Sequence, residues 1–178
     1  MIVDDFNIYK LTNIIRFSQL PKIKNESVAE HSYFVMWFVN RICTINKLSD
    51  KIRLTALQSA LLHDIPEIIT NDITYDVKKM IPQISSIIEP YEKQVISEHS
   101  IDVVNTLFYP DSYEERVAKK VVKHADILSV MLYCMNEAHL GNKAFDELVK
   151  ETELRLEKSR EELFEEISKG GHSDADEQ

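Results

Sequence analysis

The chain of 178 residues carries 30 Asp and Glu against 21 Lys and Arg, a net charge of −9, and contains only 3 Gly and 5 Pro. The length favours one domain, and a hydrophobic content of 44% is enough for a packed core, which excludes disorder for most of the chain. The acidic balance argues against a general nucleic-acid binder, and three glycines cannot build a Gly-rich phosphate loop. If the protein handles phosphate, side chains or a metal must do so.

The N-terminal segment and the cysteines indicate the compartment. The first residues have acids where a signal peptide has bases, and no apolar run approaches the roughly 18 residues of a membrane span. Cys43 and Cys134 stand apart without CxxC spacing, which is typical of reduced thiols in a cytosolic protein. We therefore expect a cytoplasmic protein that binds neither nucleic acid nor a membrane.

Apolar residues recur at helical spacing along nearly the whole chain, which predicts an all-α protein. A first helix is expected over residues 2–17. The second begins near Val28, because Ser27 and Glu30 have the spacing of a capping box. The third is predicted over residues 51–69, with Pro66 kinking or ending it.

The second half of the chain continues the same pattern. Further helices are expected over residues 77–80, 84–107 (as one or two), 113–139 and 144–169. The segment 170–178 has an acidic character and no apolar cluster, which predicts a disordered tail. The expected organisation is one helical domain over residues 1–169, followed by this tail.

Polar side chains that can bind a metal interrupt three of the apolar helices. His31 lies in the first turns of the second helix, the pair His63 and Asp64 breaks the run ALLHDI, and Asp126 has two valines and an alanine among the five residues before it. Polar groups at such positions cost free energy unless they are paired or bind a metal. Two imidazoles and two carboxylates can enclose one divalent cation, and this mixed set suits Zn, Mn, Co or Fe.

Each of these residues also has a purely structural explanation. A buried His31 can be hydrogen-bonded within the core, and Asp126 can pair with Lys123 or Arg116. The combination with the acidic Glu67, one turn after the His-Asp pair, favours a catalytic site. Other candidates are expected to be structural, and the aromatic residues that follow His31 are predicted to lie in the core: Tyr33, Phe34, Trp37 and Phe38.

The order and spacing of these residues resemble those of the HD-domain metal-dependent phosphohydrolases, and the surrounding sequence is similar to the bacterial HD-domain 5′-deoxynucleotidases. The segments that carry the resemblance are RF at 16–17, ESVAEHS at 26–32, HDIPEIITND at 63–72, KHAD at 123–126, GN at 141–142 and Phe145. The resemblance extends over residues 8–148. It implies a single-domain helical bundle with a metal site between its helices.

The resemblance also implies a role for each matching residue. The ligands of one divalent metal ion would be His31, His63, Asp64 and Asp126. Glu67 would position or deprotonate the attacking water, Arg16 would orient the phosphate, and Asp72 would act near the sugar or the leaving oxygen. A planar guanidinium suits two phosphate oxygens, although Arg16 could instead pair with Asp4 or Asp5.

Two departures from the family concern the substrate. Phe17 stands where the family has a tryptophan thought to lie against the sugar. The segment ITYD at 73–76 replaces a stretch that usually contains proline. Tyr75 and Lys78 lie in or beside this segment, so both are candidates for substrate contacts.

The sequence thus predicts an HD-domain phosphohydrolase that acts on a small nucleotide. The first interpretation is release of phosphate from deoxyribonucleoside 5′-monophosphates, by direct attack of a water molecule that the cation activates. The alternative is a triphosphohydrolase that converts a deoxynucleoside triphosphate, dATP for example, to deoxynucleoside and triphosphate. A lesser alternative is an inactive HD-type nucleotide-binding or sensor protein. The resemblance also implies a homodimer or higher homo-oligomer.

Overall fold

The computed structural model describes residues 6–170 and contains eight α-helices in that range. They are α1 Val28–Ile45, α2 Asp50–Leu62, α3 Glu67–Thr70, α4 Tyr75–Met80, α5 Gln83–Ser97, α6 Ile101–Phe108, α7 Tyr113–His139 and α8 Asp146–Gly170. Short 3-10 helices cover Asn7–Thr12 and Lys143–Phe145. The all-α prediction is confirmed.

The predicted start of α1 is confirmed in detail. The Ser27 hydroxyl accepts a hydrogen bond from the Glu30 amide at 3.2 Å, and the Glu30 carboxylate accepts one from the Ser27 amide at 2.8 Å. Ser112 and Glu115 make the same exchange at the start of α7. Sequence locates these boundaries well because the capping groups lie within one turn of each other.

The first predicted helix is wrong over most of its length. Residues 1–5 lie outside the described residues, and only Asn7–Thr12 forms a helix, of the 3-10 type. The chain then runs beside the segment that precedes α1, where the Arg16 amide donates to the Glu26 carbonyl at 3.0 Å. Pairing with a distant segment overrides the local helical pattern, and it fixes Arg16 beside the start of α1.

The third predicted helix is divided into α2 and α3. Pro66 has no amide hydrogen, and its ring clashes with a helical carbonyl four residues earlier. That earlier residue is Leu62, where α2 ends. The turn between the two helices carries His63 and Asp64, so the proline that breaks the helix also presents the pair.

The remaining boundaries differ only slightly from the prediction. Residues 84–107 form two helices, α5 and α6, and the helix predicted over 113–139 has those bounds in the structure. The last helix continues to Gly170, one residue into the predicted tail. Residues 171–178 lie outside the described residues, so the disordered tail stays a prediction.

The main core lies between α1, α2, α7 and α8. Its buried side chains include Val35, Val39, Cys43, Ile52, Ala56, Ala60, Val117, Val121, Ala125 and Leu163. Alanines on α2 and α7 allow these two helices to approach closely. Within residues 6–170, no helix is both long and apolar enough to cross a membrane.

The expectation of a core position is wrong for three aromatic residues of α1. Tyr33, Phe34 and Trp37 are 58%, 44% and 56% exposed, whereas Phe38 is partly buried against the core. The stripe that α1 turns toward the core is already filled by smaller residues such as Val35 and Val39. The larger aromatic side chains therefore cover the outer face of the helix.

Candidate active site

Three elements bring the four predicted metal ligands together. His31 lies on α1, Asp126 lies on α7, and the turn after α2 supplies His63 and Asp64. The His31 Nε2 atom is 3.6 Å from Asp64 Oδ2 and 3.1 Å from Asp126 Oδ1. The His63 Nε2 atom is 3.2 Å from Asp64 Oδ2.

Three of the four form the tightest group. Ligand atoms of His31, His63 and Asp64 all lie within 4.8 Å of one another. Asp126 lies at the edge of this group, next to His31, with 36% of its side chain exposed. The arrangement can hold a cation between the trio and leave the Asp126 side open to the cavity.

The two imidazole rings are oriented by hydrogen bonds on the side away from Asp64. His63 Nδ1 donates to the Ala60 carbonyl at 2.7 Å, and His31 Nδ1 is 3.1 Å from the Ser129 hydroxyl. Because a carbonyl only accepts, the neutral His63 ring has its hydrogen on Nδ1 and a lone pair on Nε2. This is the tautomer that binds a metal.

The residues present fit a divalent cation. The Nε2 atoms of His31 and His63 are both buried, and although each lies within 3.2 Å of a carboxylate oxygen, neither makes a hydrogen bond of normal geometry within the described residues. Buried polar atoms are normally satisfied, so two such nitrogens beside one carboxylate indicate a missing partner. Imidazole nitrogen and carboxylate oxygen together suit zinc and other first-row transition metals.

The site is also short of positive charge. Arg16 faces the carboxylates of Asp64, Asp126, Glu26 and Asp72, and their attraction outweighs burial and raises its pKa. Burial lowers the pKa of His63, but its interactions with Asp64, Asp126 and the Ala60 carbonyl together outweigh burial and raise that pKa to about 9. Carboxylates thus outnumber the cationic groups around the cluster, which favours binding of a cation.

Arg16 is fixed from several directions. Its Nη1 atom lies 3.6 Å from Asp64 Oδ2, and its Nε atom lies 3.8 Å from Glu26 Oε2. Lys22 donates from Nζ to the carbonyl oxygens of Arg16 and Phe17 at 2.9 and 3.0 Å. The alternative pairing with Asp4 or Asp5 falls on residues that the structure does not describe.

Phe17 has a backbone conformation that is unusual for a residue with a side chain. Its φ is 52°, and its amide donates to Asp72 Oδ2 at 3.1 Å. The ring stacks on Tyr133 with centroids 5.3 Å apart and meets Phe145 edge-on. Asp72 and the aromatic contacts together hold the strained residue at the wall of the cavity.

Glu67 begins α3 and faces the same cavity. Its Oε2 atom is buried and has no hydrogen-bond partner within residues 6–170. Burial, followed by the charges of Asp64 and Asp72, raises the pKa of Glu67 to about 8. A carboxylate in this environment is suited to accept a proton near neutral pH.

A cavity of about 210 Å³ opens beside these groups. Eight of the predicted site residues line it: Arg16, Phe17, Asp64, Glu67, Asp72, Tyr75, Lys78 and Asp126. His31 and His63 lie behind Asp64 at its inner end. The opposite wall comes from α8, through Glu151, Thr152 and Arg155.

Sequence reasoning missed the contribution of α8. Arg155 lies over the Tyr75 ring, with Cζ 4.1 Å from the centroid, and Lys79 pairs with Glu151 at 3.5 Å. The buried Thr152 lies between Leu148 and Leu156 in the apolar stripe of the helix, and this polar interruption is the one sequence signal available. Ser129 was missed for a similar reason, as a small polar residue on the buried face of α7.

The two basic residues that could pair with Asp126 contact other carboxylates. Lys123 and Arg116 pair with the α8 carboxylates Glu162 and Glu166, each at 2.8 Å, and not with Asp126. His124 Nδ1 is 2.7 Å from the Ser159 hydroxyl on α8, so this histidine is held away from the site. Asp126 is therefore paired with neither of these basic residues, and it lines the cavity.

Comparison with known proteins decides the family. Residues 6–167 match the sequence model of the family described as 5′-deoxynucleotidase YfbR-like. The chain belongs to the YfbR-like 5′-deoxynucleotidase family. The 5′-deoxynucleotidase of Citrobacter koseri is 31% identical over 163 residues, which cover 86% of this chain and 79% of the relative. The 5′-deoxynucleotidase YfbR of Salmonella typhi is 29% identical over 87% of this chain and 80% of its own.

The fold is that of HD phosphohydrolases. The cyanophage S-2L HD phosphohydrolase DatZ, solved bound to dA and one catalytic Zn²⁺ ion, superposes with a TM-score of 0.65. It is 18% identical, and the match covers 94% of this chain and 96% of DatZ. This likeness confirms the predicted HD-type helical fold, and the family match confirms the predicted relationship to the 5′-deoxynucleotidases.

Proposed function

We propose that the protein is a metal-dependent 5′-deoxynucleotidase that releases phosphate from deoxyribonucleoside 5′-monophosphates. The observation that carries the proposal is the pair of buried, partnerless Nε2 atoms of His31 and His63 beside Asp64, at the inner end of a cavity that also contains Arg16. Family membership supports the same activity, because the curated relatives are named 5′-deoxynucleotidases.

The residues that would hold the cation are His31, His63, Asp64 and Asp126. When bound, a divalent metal lowers the pKa of water and offsets the negative charge of a phosphate. The catalytic Zn²⁺ named for DatZ supports zinc as the first metal to test. Mn, Co and Fe suit the same donor set and belong in the same trial.

The remaining groups divide the work on the phosphate. Arg16 binds phosphate oxygens, since its guanidinium is a permanent cation of the cavity wall and lies next to Asp64. Glu67 accepts a proton from the attacking water through its partnerless Oε2 atom. Attack on phosphorus breaks the bond to the 5′ oxygen, which takes up a proton and leaves as the deoxynucleoside hydroxyl.

Asp72 and Phe17 are assigned to the sugar end of the substrate. Asp72 is close enough to hydrogen-bond the Phe17 amide and lines the cavity, so it can position the sugar and the leaving oxygen. An apolar Phe17 ring beside the sugar offers no hydrogen-bond partner for a 2′ hydroxyl, which favours deoxyribose. Tyr75 and Lys78 also line the cavity and complete the proposed substrate contacts.

A second candidate function is triphosphate release from a deoxynucleoside triphosphate. The specific observation in its favour is the pair of extra cations in the cavity wall, Lys78 and Arg155, which could face a longer phosphate chain. The superposition with DatZ, solved with dA, also makes this activity worth testing. Both candidate functions use the same bound metal ion and the same phosphate contact from Arg16.

One experiment separates these functions. The metal-loaded protein is incubated with each dNMP, each dNTP and the matching ribonucleotides, and the released anion is identified. Orthophosphate from dNMPs is expected, with much slower release from the ribonucleotides. Triphosphate release with inert dNMPs would establish the second candidate, and binding of nucleotides without turnover would establish the sensor alternative.

We propose further that the protein self-associates through the exposed aromatic face of α1, which contains Tyr33, Phe34 and Trp37. Exposed aromatic clusters of this kind mark interaction surfaces, and a second copy of the chain is the partner that the family resemblance implies. Trp37→Lys should shift the mass measured by light scattering to that of the monomer.

A cytoplasmic location is supported by the two free, buried thiols of Cys43 and Cys134.

A further inference from the structure

Glu26 lies directly beside Arg16 and is not among the predicted ligands. The Arg16 amide donates to the Glu26 carbonyl at 3.0 Å, and Glu26 Oε2 lies 3.8 Å from Arg16 Nε. Only 12% of the Arg16 side chain and 9% of the Glu26 side chain are exposed. The ion pair is therefore enclosed by protein, where water screens it little.

The helix cap does not account for Glu26. Glu30 supplies the carboxylate that caps α1 at Ser27. Glu26 Oε2 and Arg16 Nε are both buried, and neither has a hydrogen-bond partner within the described residues. A buried carboxylate without a hydrogen-bond partner destabilises the folded state. The role of Glu26 is therefore sought in its effect on Arg16 and not in stability.

Arg16 has a competing carboxylate on its other side. Its Nη1 atom lies 3.6 Å from Asp64 Oδ2, and Asp64 belongs to the proposed metal ligands. A guanidinium drawn fully onto Asp64 would compete with the cation and turn away from a phosphate. Attraction at Nε by Glu26 opposes this movement and leaves the two terminal nitrogens for phosphate oxygens.

We propose that Glu26 is a positioning residue that holds Arg16 at Nε, so that both terminal guanidinium nitrogens face the phosphate of the substrate. The inference rests on the proposed function, because it assigns a phosphate to Arg16. If Glu26 only repelled the substrate, removing its carboxylate would strengthen the binding of an anion. If Glu26 positions Arg16, removing it weakens the binding of phosphate. The direction of the change in phosphate affinity therefore distinguishes positioning from repulsion.

The test compares wild type with Glu26→Gln in the metal-loaded protein. Glu26→Gln should raise KM for a dNMP about tenfold, the low end of the coupling between close, enclosed charge pairs, with metal content unchanged. Inorganic phosphate should bind about tenfold more weakly in calorimetric titration, again on that scale. In an Arg16→Gln background, the same substitution should change phosphate binding less than about twofold, because the group it positions is gone.

Glu30→Ala is the matched control, since it removes a carboxylate from the same segment. It should lower the midpoint of thermal unfolding through loss of the cap and leave KM unchanged. If Glu26→Gln fails to fold, Glu26→Asp retains the charge with a shorter reach, and its KM should lie between wild type and about a tenfold increase.

An unchanged or tighter affinity for phosphate in Glu26→Gln would overturn the proposal, as would an undiminished effect in the Arg16→Gln background. Phosphate binding is measured without turnover, so the result holds even when a nucleotide is not hydrolysed. Absence of dNMP hydrolysis by wild type would contradict the proposed function alone.

Discussion

Two buried acidic regions of this molecule differ in how completely their polar atoms are satisfied. Glu137 on α7 is fully buried, and its oxygens accept hydrogen bonds from the amides of Ile23 and Lys24 at 2.8 and 2.7 Å. The Asn142 side chain donates a further bond at 2.7 Å. Gly141, with a φ of 96°, reverses the chain after α7 so that Asn142 can reach Glu137.

The region around Asp64 has the opposite character. Of eight buried side-chain nitrogen and oxygen atoms without a hydrogen-bond partner in the described residues, five belong to it. They lie on Arg16, Glu26, His31, His63 and Glu67. Folding satisfies the Glu137 carboxylate, which fastens the loop at Ile23, and it leaves unpartnered polar atoms in the region around Asp64, as the proposed cation and substrate require. The difference separates a structural acid from the acids of the proposed site.

The largest expected effect comes from removing the central carboxylate of the unsatisfied region. Asp64→Ala should abolish metal binding and lower the rate of phosphate release by about a thousandfold or more, since the metal contributes several kcal/mol to the transition state. Helical content should be preserved, because Asp64 lies in a turn and not within the core. Metal analysis, circular dichroism and a phosphate assay measure the three quantities. Retained activity would refute the metal mechanism.

Glu67→Gln should separate chemistry from metal binding. The variant keeps the cation, because Glu67 is not among the proposed ligands, and loses about a hundredfold in kcat with the lost general base. Single-turnover kinetics with matched metal content measure this loss. Parallel loss of metal would mean that Glu67 acts as a ligand instead.

The satisfied region should respond in stability and not in activity. Glu137→Gln removes the charge from three hydrogen bonds, and we expect the free energy of unfolding to fall by about 2 kcal/mol. Denaturant titration measures this change. KM and metal content should remain those of wild type, and a changed KM would show that the two regions are coupled.

The smallest effect concerns acid stability. Burial raises the pKa of Glu137, but the hydrogen bonds from Ile23, Asn142 and Lys24 outweigh it and leave the pKa below its ordinary value. A carboxylate with a lowered pKa stabilises the fold above its unfolded pKa of about 4.3, and this stabilisation is lost as the pH falls through the folded value. Wild type should therefore lose stability below about pH 4 more steeply than Glu137→Gln. Parallel curves in denaturant titrations from neutral to acid pH would contradict this assignment.

The sequence predicted the elements whose signals are local. The capping box at Ser27 located the start of α1, and a strong helical period gave α7 its bounds. The residues of the site were predicted because polar groups within apolar runs stand out, and because the family pattern extends through them. Pro66 indicated the end of α2, although the prediction left the alternative of a kink open.

Long-range packing explains what the sequence did not predict. Arg16 lies in a turn and not in a helix because its amide pairs with the Glu26 carbonyl in the segment before α1. Trp37 is exposed because smaller residues fill the core stripe of its helix. The α8 wall of the cavity, with Arg155 over Tyr75, depends on how a distant helix packs, which local periodicity does not encode.

The central claim is that the partnerless nitrogens of His31 and His63, with Asp64 and Asp126, bind a cation on which phosphate release depends. The most direct measurement strips the protein of metal with a chelator, titrates back Zn, Mn, Co or Fe, and records orthophosphate release from a dNMP. Activity should vanish on chelation and return in proportion to bound metal, saturating at one ion per chain. Equal release by the metal-free and the reloaded protein would contradict the account.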